Sequence, residues 1–352
     1  MTLSREGCAA GALGALAVWL ASAGPVLAED APPPLDHAAL SALLEAYDVA
    51  GAAIVELAGC EPGPVVSAGY ADLDTSERVA PETVFEAASL SKPVFAYLVL
   101  TLADEGLIDL DQPLAASLDY PRISDQQAYG AMTPRMILTH RTGMPNWVDE
   151  ATPFNKRTAP ITLLAEPGEA YTYSGEAFQL LQLYVEQETG QSLQEIFAER
   201  LGADMPMSAF ARPLPADISE SRGYRRASAP ETGRAMTNVR DYAMASGSLA
   251  VTAQDYARFL SLVCRGEGLA PATHAEMVSP LEDAPEDGAP FPMAYGLGWI
   301  VADMGGDSFI GHGGNNGNYR SFAGYFASSG DGIVVLTNSE SGQALIDALI
   351  SP

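Results

Sequence analysis

The two ends of the chain carry the sequence pattern of β-strands, and this arrangement limits the folds open to it. Near the amino terminus, Ala52–Ala58 and Val65–Tyr70 are short apolar runs joined by a Gly- and Pro-rich connection, which predicts a β-hairpin. Near the carboxyl terminus, three further strand-like runs are Leu297–Ala302, Arg320–Phe326 and Gly332–Thr337. Strands at both ends predict one antiparallel sheet assembled from both termini, with the intervening segment inserted into it.

The inserted segment, about residues 86–289, is predicted to be mainly helix and loop, while about 36–85 and 290–352 supply the sheet. Apolar periodicity of the helical kind predicts five helices along the chain: Leu35–Tyr47, Val84–Asp104, Gln179–Glu188, Ala253–Cys264 and Gln343–Ile350. The predicted class is therefore α+β. An antiparallel sheet is flanked by helices as an α/β sandwich, and a mainly helical subdomain is inserted.

Residues 1–28 have the features of a secretory signal peptide. Arg5 precedes an uncharged, Leu- and Ala-rich run, and the segment Val26-Leu27-Ala28 resembles a small-residue cleavage site. Cleavage after Ala28 predicts a periplasmic or secreted protein with no stable membrane association. An uncleaved anchor is the alternative, because the uncharged run is long enough for one.

The two cysteines that follow the signal segment are Cys60 and Cys264. An oxidising compartment permits a disulfide between them. Nothing in the sequence places them near each other, however, so two unpaired buried thiols are expected.

The formal net charge is −27, which excludes one class of partner. A surface this acidic repels phosphates, so a nucleic-acid partner is not expected. The charge is typical of a soluble surface and says little about the substrate. It leaves the oligomeric state open.

Lysine is scarce in this chain, which has two lysines, Lys92 and Lys156, beside sixteen arginines. Arginine keeps its proton in proteins, whereas a desolvated lysine can have its pKa lowered and act as a base. Lys92 lies three residues after Ser89, so the two side chains share a helix face. Pro93 is tolerated only in a first helical turn, which places Ser89 at the helix N-terminus. An N-cap serine followed by a surface lysine is the alternative interpretation.

The Ser89-x-x-Lys92 pair matches the nucleophile motif of the penicillin-binding-protein and serine β-lactamase superfamily. Pro167–Gly175 (PGEAYTYSG) resembles its PG…YSN segment, and Gly311–Gly317 (GHGGNNG) resembles its third element, K-T-G or H-x-G, on an inner strand. The resemblance is closest to the class C β-lactamase-related branch of esterases, D-aminopeptidases and carboxypeptidase-like proteins. Supporting segments in the same order extend it over about residues 36–348: Leu138–Pro145, Arg222–Tyr224, Gly247–Leu249, Tyr295–Trp299 and Leu336–Asn338. Residues 29–352 are thus expected to form one serine hydrolase domain.

The resemblance implies a role for each motif residue. Ser89 attacks the substrate carbonyl, and Lys92 accepts its proton directly or through Tyr173, whose phenol the nearby ammonium keeps partly ionised. Tyr173 then protonates the leaving group and helps to activate the deacylating water. The backbone N–H groups of Ser89 and Asn315 form the oxyanion hole. The substrate-binding positions implied by the motifs are His312, Gly313, Gly314 and Gly175.

Three assignments within this set keep alternatives. Tyr171 takes the place of Tyr173 if the alignment shifts by two residues. His312 is alternatively a structural histidine beside a glycine turn. His140, in the segment LTHRTG, is expected to shape the wall of the site rather than to react.

Two positions depart from the β-lactamase pattern. Gly175 stands where those enzymes carry an asparagine that binds the lactam side chain and supports the lysine. His312 stands where they carry a lysine that attracts the substrate carboxylate, and a mostly neutral imidazole attracts it much less at pH 7. Both departures favour an ester or a peptide-like amide as substrate over efficient β-lactam hydrolysis.

The expected activity is hydrolysis of an ester or peptide-like amide through an acyl-enzyme on Ser89. A true β-lactamase or D-Ala-D-Ala carboxypeptidase is the alternative within enzymes, and a non-catalytic cell-wall peptide binder or sensor is the alternative outside them. The partner is expected to be a small ester, peptide or β-lactam-like molecule. No metal or organic cofactor is expected, because the sequence has no H-E-x-x-H, Cys/His ligand cluster or dinucleotide-binding glycine pattern.

Overall fold

A computed structural model describes residues 35–148, 157–211, 218–229, 243–284 and 292–350. Within these residues ten strands form one antiparallel sheet. They are β1 (Gly51–Ala58), β2 (Glu61–Pro62), β3 (Val66–Asp72), β4 (Glu77–Arg78), β7 (Glu282–Asp283), β8 (Met293–Tyr295), β9 (Ile300–Asp303), β10 (Ser308–Asn315), β11 (Arg320–Phe326) and β12 (Gly332–Thr337). Two short strands, β5 (Phe85–Glu86) and β6 (Ala250–Val251), pair with each other apart from this sheet.

The sheet joins the two ends of the chain, as the strand pattern predicts. Its order is β4-β3-β1-β12-β11-β10-β9-β8-β7, with β2 paired to β1. The junction is the antiparallel pair β1–β12, in which Ala53 lies opposite Leu336 and Val55 opposite Val334. The predicted fold class, an antiparallel sheet built from both termini and flanked by helices, is confirmed.

Helices cover both faces of the sheet. The nine α-helices among the described residues are α1 (His37–Ala46), α2 (Ser91–Asp104), α3 (Gln126–Tyr129), α4 (Pro134–Leu138), α5 (Gly175–Thr189), α6 (Leu193–Arg200), α7 (Ala253–Arg265), α8 (Pro271–Met277) and α9 (Gly342–Ile350). Alternate residues of β1 belong to two cores, because successive side chains of a strand point to opposite faces. Ala52 and Ile54 belong to a core that includes residues of α1 and α9, whereas Ala53 and Val55 belong to a core that includes residues of α2, α5 and α7.

The helix predicted to begin at Val84 begins later. Phe85 and Glu86 extend as β5, residues Ala88–Leu90 form a single 3-10 turn, and α2 starts only at Ser91. The apolar run before the helix is buried on all sides, and periodicity alone cannot separate a buried strand from a buried helix. The strand predicted at Leu297–Ala302 is observed as Ile300–Asp303, because the chain bends before it at Gly298, whose φ is +88°.

Cys60 and Cys264 form a disulfide with a Cα–Cα distance of 5.7 Å, so the expectation of two unpaired thiols is wrong. The bond joins the turn after β1 to the end of α7 across a sequence separation of 204 residues. It ties the helical layer to the sheet. No local pattern could have indicated a pairing over that distance.

Among the described residues, none of the helices combines the length and apolarity needed to cross a membrane. The predicted signal peptide, residues 1–28, lies outside the described residues and stays a prediction.

Candidate active site

Ser89 lies in a strained turn at the start of α2. The residue before it, Ala88, is buried and has a φ of +51°, a left-handed conformation that costs a non-glycine residue about 1–3 kcal/mol. Two hydroxyl groups hold the turn: Ser91 Oγ donates to the carbonyl of Ala88 (2.6 Å), and Ser321 Oγ donates to that of Ala87 (2.7 Å). The turn is therefore fixed from both sides and leaves Ser89 partly exposed.

Lys92 lies one helical turn further on and is almost completely buried, with 1% of its surface exposed. Its Nζ lies 3.1 Å from Ser89 Oγ and 2.8 Å from the carbonyl oxygen of Ser246. The rings of Tyr173 and Phe178 lie 4.8 and 5.7 Å from the same atom. No carboxylate of the described residues forms an ion pair with Lys92. Burial therefore lowers the pKa of Lys92 from 10.5 to about 7, so much of the amine is neutral at neutral pH.

Tyr173 is hydrogen-bonded to Ser89, and burial raises the pKa of its phenol well above the ordinary value. The expectation that the Lys92 ammonium keeps this phenol partly ionised is not met, because the loss of solvation outweighs the opposing effect of the hydrogen bond with Ser89. Tyr173 is protonated at neutral pH and can donate a proton. The alternative residue, Tyr171, packs instead against the rings of His140 and Tyr295.

His312 is buried in β10, and both of its ring nitrogens are engaged. Nδ1 lies 2.7 Å from the carbonyl oxygen of Gly313 and must donate, because a carbonyl only accepts. Nε2 lies 2.8 Å from the hydroxyl of Tyr295 and accepts its proton. Burial, aided by the nearby Lys92, lowers the pKa of His312 to about 3, so the ring is neutral. No N–H of this imidazole is left to hold a substrate carboxylate.

Strand β10 passes against the Ser89 turn at a position where only glycine fits. A Cβ on Gly314 would lie 2.1 Å from Ser321 Oγ and 2.5 Å from the carbonyl oxygen of Ala87. This close approach places the end of β10, and with it Asn315, beside the turn. The next residue, Asn316, was not singled out from the sequence. Its side-chain amide donates to the carboxylate of Glu86 (2.8 Å) and to the carbonyl of Gly247 (3.1 Å).

His140 clamps the backbone on both sides of Tyr173. Its carbonyl accepts from the N–H of Thr172 (2.7 Å), and its Nδ1 accepts from the N–H of Ser174 (3.0 Å). The imidazole centroid lies 4.3 Å from that of the Tyr173 ring. Burial lowers the pKa of His140 well below its usual range, and a φ of +56° directs the residue into this position. The structure thus makes His140 part of the wall, as expected, and gives it a positioning role that the sequence did not indicate.

Gly175, which the sequence predicts to be a substrate-binding position, begins α5 and packs against the indole of Trp147. Elsewhere in the described residues, no group of three or more His, Cys, Asp or Glu side chains is placed to hold a metal ion.

Comparisons with known proteins agree on one family and one fold. Residues 37–349 match the family model described as Beta-lactamase. Protein flp of Staphylococcus aureus (strain NCTC 8325 / PS 47) is 23% identical over 290 residues, which cover 78% of this chain and 56% of that protein. Penicillin-binding protein 4* of Bacillus subtilis (strain 168) is 27% identical over 180 residues, 47% of this chain and 36% of that protein. The chain therefore spans only about half the length of the first of these relatives, and less of the second.

Solved structures share the fold at 21–24% identity. A penicillin-binding protein from Bacillus halodurans superposes with a TM-score of 0.74 and 23% identity, covering 88% of this chain and 98% of that one. A D-amino acid amidase from Ochrobactrum anthropi SV3 superposes with a TM-score of 0.71 and 21% identity, covering 88% of this chain and 96% of that one. An octameric penicillin-binding protein homologue from Pyrococcus abyssi superposes with a TM-score of 0.73 and 24% identity, covering 88% of this chain and 75% of that one.

Replacing Lys92 by methionine should stabilise the protein in a pH-dependent way. The Lys92 amine loses its proton above about pH 7 in the folded state but only above about pH 10.4 in the unfolded chain. The protonated amine therefore destabilises the fold below pH 7, and this destabilisation fades between about pH 7 and 10.4. We expect calorimetry to give Lys92→Met a Tm several degrees above the wild type at pH 6, with the difference shrinking toward pH 10. A Tm difference that does not depend on pH would contradict the lowered pKa.

Substitution of His140 should impair turnover more than binding. In His140→Phe the N–H of Ser174 loses its acceptor and Tyr173 loses a clamp, so kcat should fall roughly 10-fold or more with KM nearly unchanged. Asparagine tolerates a positive φ and offers an acceptor oxygen, so His140→Asn should recover part of kcat. Steady-state kinetics on folded variants of equal Tm make the comparison. An unchanged kcat in His140→Phe would show that His140 does not position Tyr173.

Proposed function

Since the chain belongs to the β-lactamase family, we propose that it is a serine hydrolase that forms an acyl-enzyme on Ser89 and acts on an ester or a peptide-like amide. The main support for this proposal is the position and the lowered pKa of the Lys92 amine. It lies 3.1 Å from Ser89 Oγ, and burial lowers its pKa to about 7. A base with a pKa near the working pH is the most effective partner for a serine hydroxyl.

Acylation begins when neutral Lys92 accepts the proton of Ser89 as Oγ forms a bond to the substrate carbonyl carbon. The resulting oxyanion accepts hydrogen bonds from the backbone N–H groups of Ser89 and Asn315, at the N-terminus of α2 and the end of β10. Tyr173 gives its phenolic proton to the leaving oxygen or nitrogen as that bond breaks. The Lys92 ammonium then returns a proton to Tyr173, and the acyl group stays on Ser89.

Deacylation reverses these proton movements with water in place of the leaving group. Water attacks the acyl carbon and gives its proton to neutral Lys92, through Tyr173 or directly. The second tetrahedral intermediate collapses, the ester bond to Ser89 Oγ breaks, and Oγ takes the proton back. The product is a carboxylic acid, and Ser89 and Lys92 return to their starting protonation states.

Because His312 is neutral, we expect the substrate to have no free carboxylate near this residue. Both of its ring nitrogens are engaged within the protein, and its low pKa keeps it uncharged. β-Lactams and D-Ala-D-Ala peptides both present a carboxylate beside the reacting amide, and a site without a cation binds them weakly. Esters and amides with a neutral leaving group fit better, and one protein that shares the fold is a D-amino acid amidase.

The buried lysine also weighs against a non-catalytic binder. Burying an amine without a carboxylate partner costs stability, and a protein that only binds peptides gains nothing from it. We further propose export to the periplasm or the medium. The Cys60–Cys264 disulfide supports this, because disulfides persist in oxidising compartments.

A fluorophosphonate probe tests the proposal on the intact protein. We expect one adduct on Ser89 by mass spectrometry, no adduct in Ser89→Ala, and an unchanged adduct in Ser329→Ala, which removes an exposed serine instead. We also expect kcat/KM for p-nitrophenyl acetate to exceed that for nitrocefin by at least about 10-fold, since only nitrocefin carries a carboxylate. An unlabelled, folded wild type would contradict the hydrolase proposal. Faster nitrocefin turnover would favour a true β-lactamase.

A further inference from the structure

Residue 175 is a glycine because no space is left for a side chain. Its φ lies outside the left-handed region, so backbone conformation does not require glycine there. A Cβ on Gly175 would lie 2.4 Å from Cζ2 and 2.5 Å from Cη2 of Trp147, closer than non-bonded atoms approach. The six-membered ring of Trp147 therefore occupies the place where the side chain of residue 175 would lie.

The helix face on which residue 175 lies also carries side chains that pack around Lys92. Residues three and four positions apart share one face of a helix, so residue 175 lies on the same face of α5 as Phe178 and Gln179. The Phe178 ring lies 5.7 Å from Lys92 Nζ. Gln179 Oε1 accepts from the N–H of Ser246 (3.0 Å), whose carbonyl accepts from Lys92. The Trp147 indole thus lies at the N-terminal end of the helix face that packs around Lys92.

The loop that carries Trp147 is bound firmly to the first turn of α5. The side-chain oxygen of Asn146 accepts from the N–H of Gly175 (2.9 Å), and its carbonyl accepts from the N–H of Glu176 (3.0 Å). On the other side, the N–H of Val148 donates to the carboxylate of Glu176 (3.0 Å). These three bonds fix the backbone on both sides of Trp147.

A buried ion pair also fixes the ring itself. Glu176 is fully buried and pairs with Arg157 at 2.9 Å and with Arg122 at 2.8 Å. The Arg157 guanidinium lies 5.1 Å from the centroid of the Trp147 ring. As a residue, Trp147 is nevertheless only partly buried. Trp147 is therefore a firmly held apolar surface against Gly175, two residues after Tyr173.

We infer that the Trp147 indole is the apolar wall of the subsite for the acyl group, and that the substrate's acyl group is a hydrocarbon chain or ring. This inference rests on the proposed function and deepens it. The alternative is an acyl group that carries polar amide groups. Such groups need hydrogen-bond partners once they leave water, and the six-membered ring of the indole offers none. A hydrocarbon group gains from each methylene that it buries, by about threefold to fourfold in affinity.

The test compares p-nitrophenyl hexanoate with p-nitrophenyl acetate. We expect the wild type to hydrolyse hexanoate at least about 10-fold better in kcat/KM, because its four extra methylenes pack against Trp147. Trp147→Ala should reduce this ratio to about 2 or less, and Trp147→Phe should keep most of the ratio. The matched control is Tyr70→Ala. Tyr70 is also a partly buried aromatic residue with an arginine over its ring, Arg78 at 3.9 Å, but it lies on β3.

Fluorophosphonate labelling of Ser89 separates the two ways in which the test can fail. If Trp147→Ala is labelled and keeps the wild-type ratio of hexanoate to acetate hydrolysis, Trp147 does not line the acyl subsite. The hydrolase proposal then still stands. If the folded wild type is neither labelled nor active, the hydrolase proposal fails, and the inference about Trp147 fails with it. An equal loss of the ratio in Tyr70→Ala would also overturn the role of Trp147.

A stability measurement tests the geometry without activity. Gly175→Asn alone should lower Tm by several degrees, because its side chain collides with the ring. Adding Trp147→Ala should restore at least about half of that loss, since the two sites are in contact and their effects are coupled. A Gly175→Asn protein as stable as the wild type would show that the ring does not fill this space and would overturn the inference.

Discussion

The structure of the site depends on one constraint, the burial of the Lys92 amine without an opposing carboxylate. Such an amine is tolerated only where oxygen atoms and aromatic faces take the place of water. Here they come from three separate parts of the chain. Ser89 precedes Lys92 in the same turn, Ser246 belongs to the loop before β6, and Phe178 lies on α5. The pairing of β5 with β6, and the contact of the Ser89 turn with β10 and β11, bring these parts together.

Burial has the same effect on each titratable group around Lys92, because it disfavours the charged form. It lowers the pKa of the lysine, of His312 and of His140, and it raises that of Tyr173. The result is a site whose side chains are mostly neutral at neutral pH, with Lys92 alone close to its midpoint. Such a site moves protons between Ser89, Lys92 and Tyr173. It offers little electrostatic attraction to a charged substrate, and Trp147 adds an apolar surface at its edge.

The sequence predicts those parts of the fold and site that depend on local pattern. The alternation of β1, β11 and β12 indicates the sheet, and the i, i+3 spacing of Ser89 and Lys92 indicates their contact. The sequence assigns the Ser89 turn to a helix, because the positive φ of Ala88 leaves no local pattern and the turn is held in part by Ser321, on the distant strand β11. The Cys60–Cys264 disulfide, the His140 clamp and the Trp147 ring over Gly175 join residues that lie about 30 to 200 positions apart. Local periodicity carries no information about such contacts.

The most direct measurement of the central claim is the titration of Lys92 itself. The chain has only two lysines, so lysine labelled with carbon-13 at the ε position gives two NMR signals, and the one missing in Lys92→Met identifies Lys92. We expect this signal to titrate with a midpoint near pH 7. A midpoint near the unperturbed value of about 10.4 would contradict it, because Lys92 would then be an ammonium at neutral pH and unable to accept the proton of Ser89.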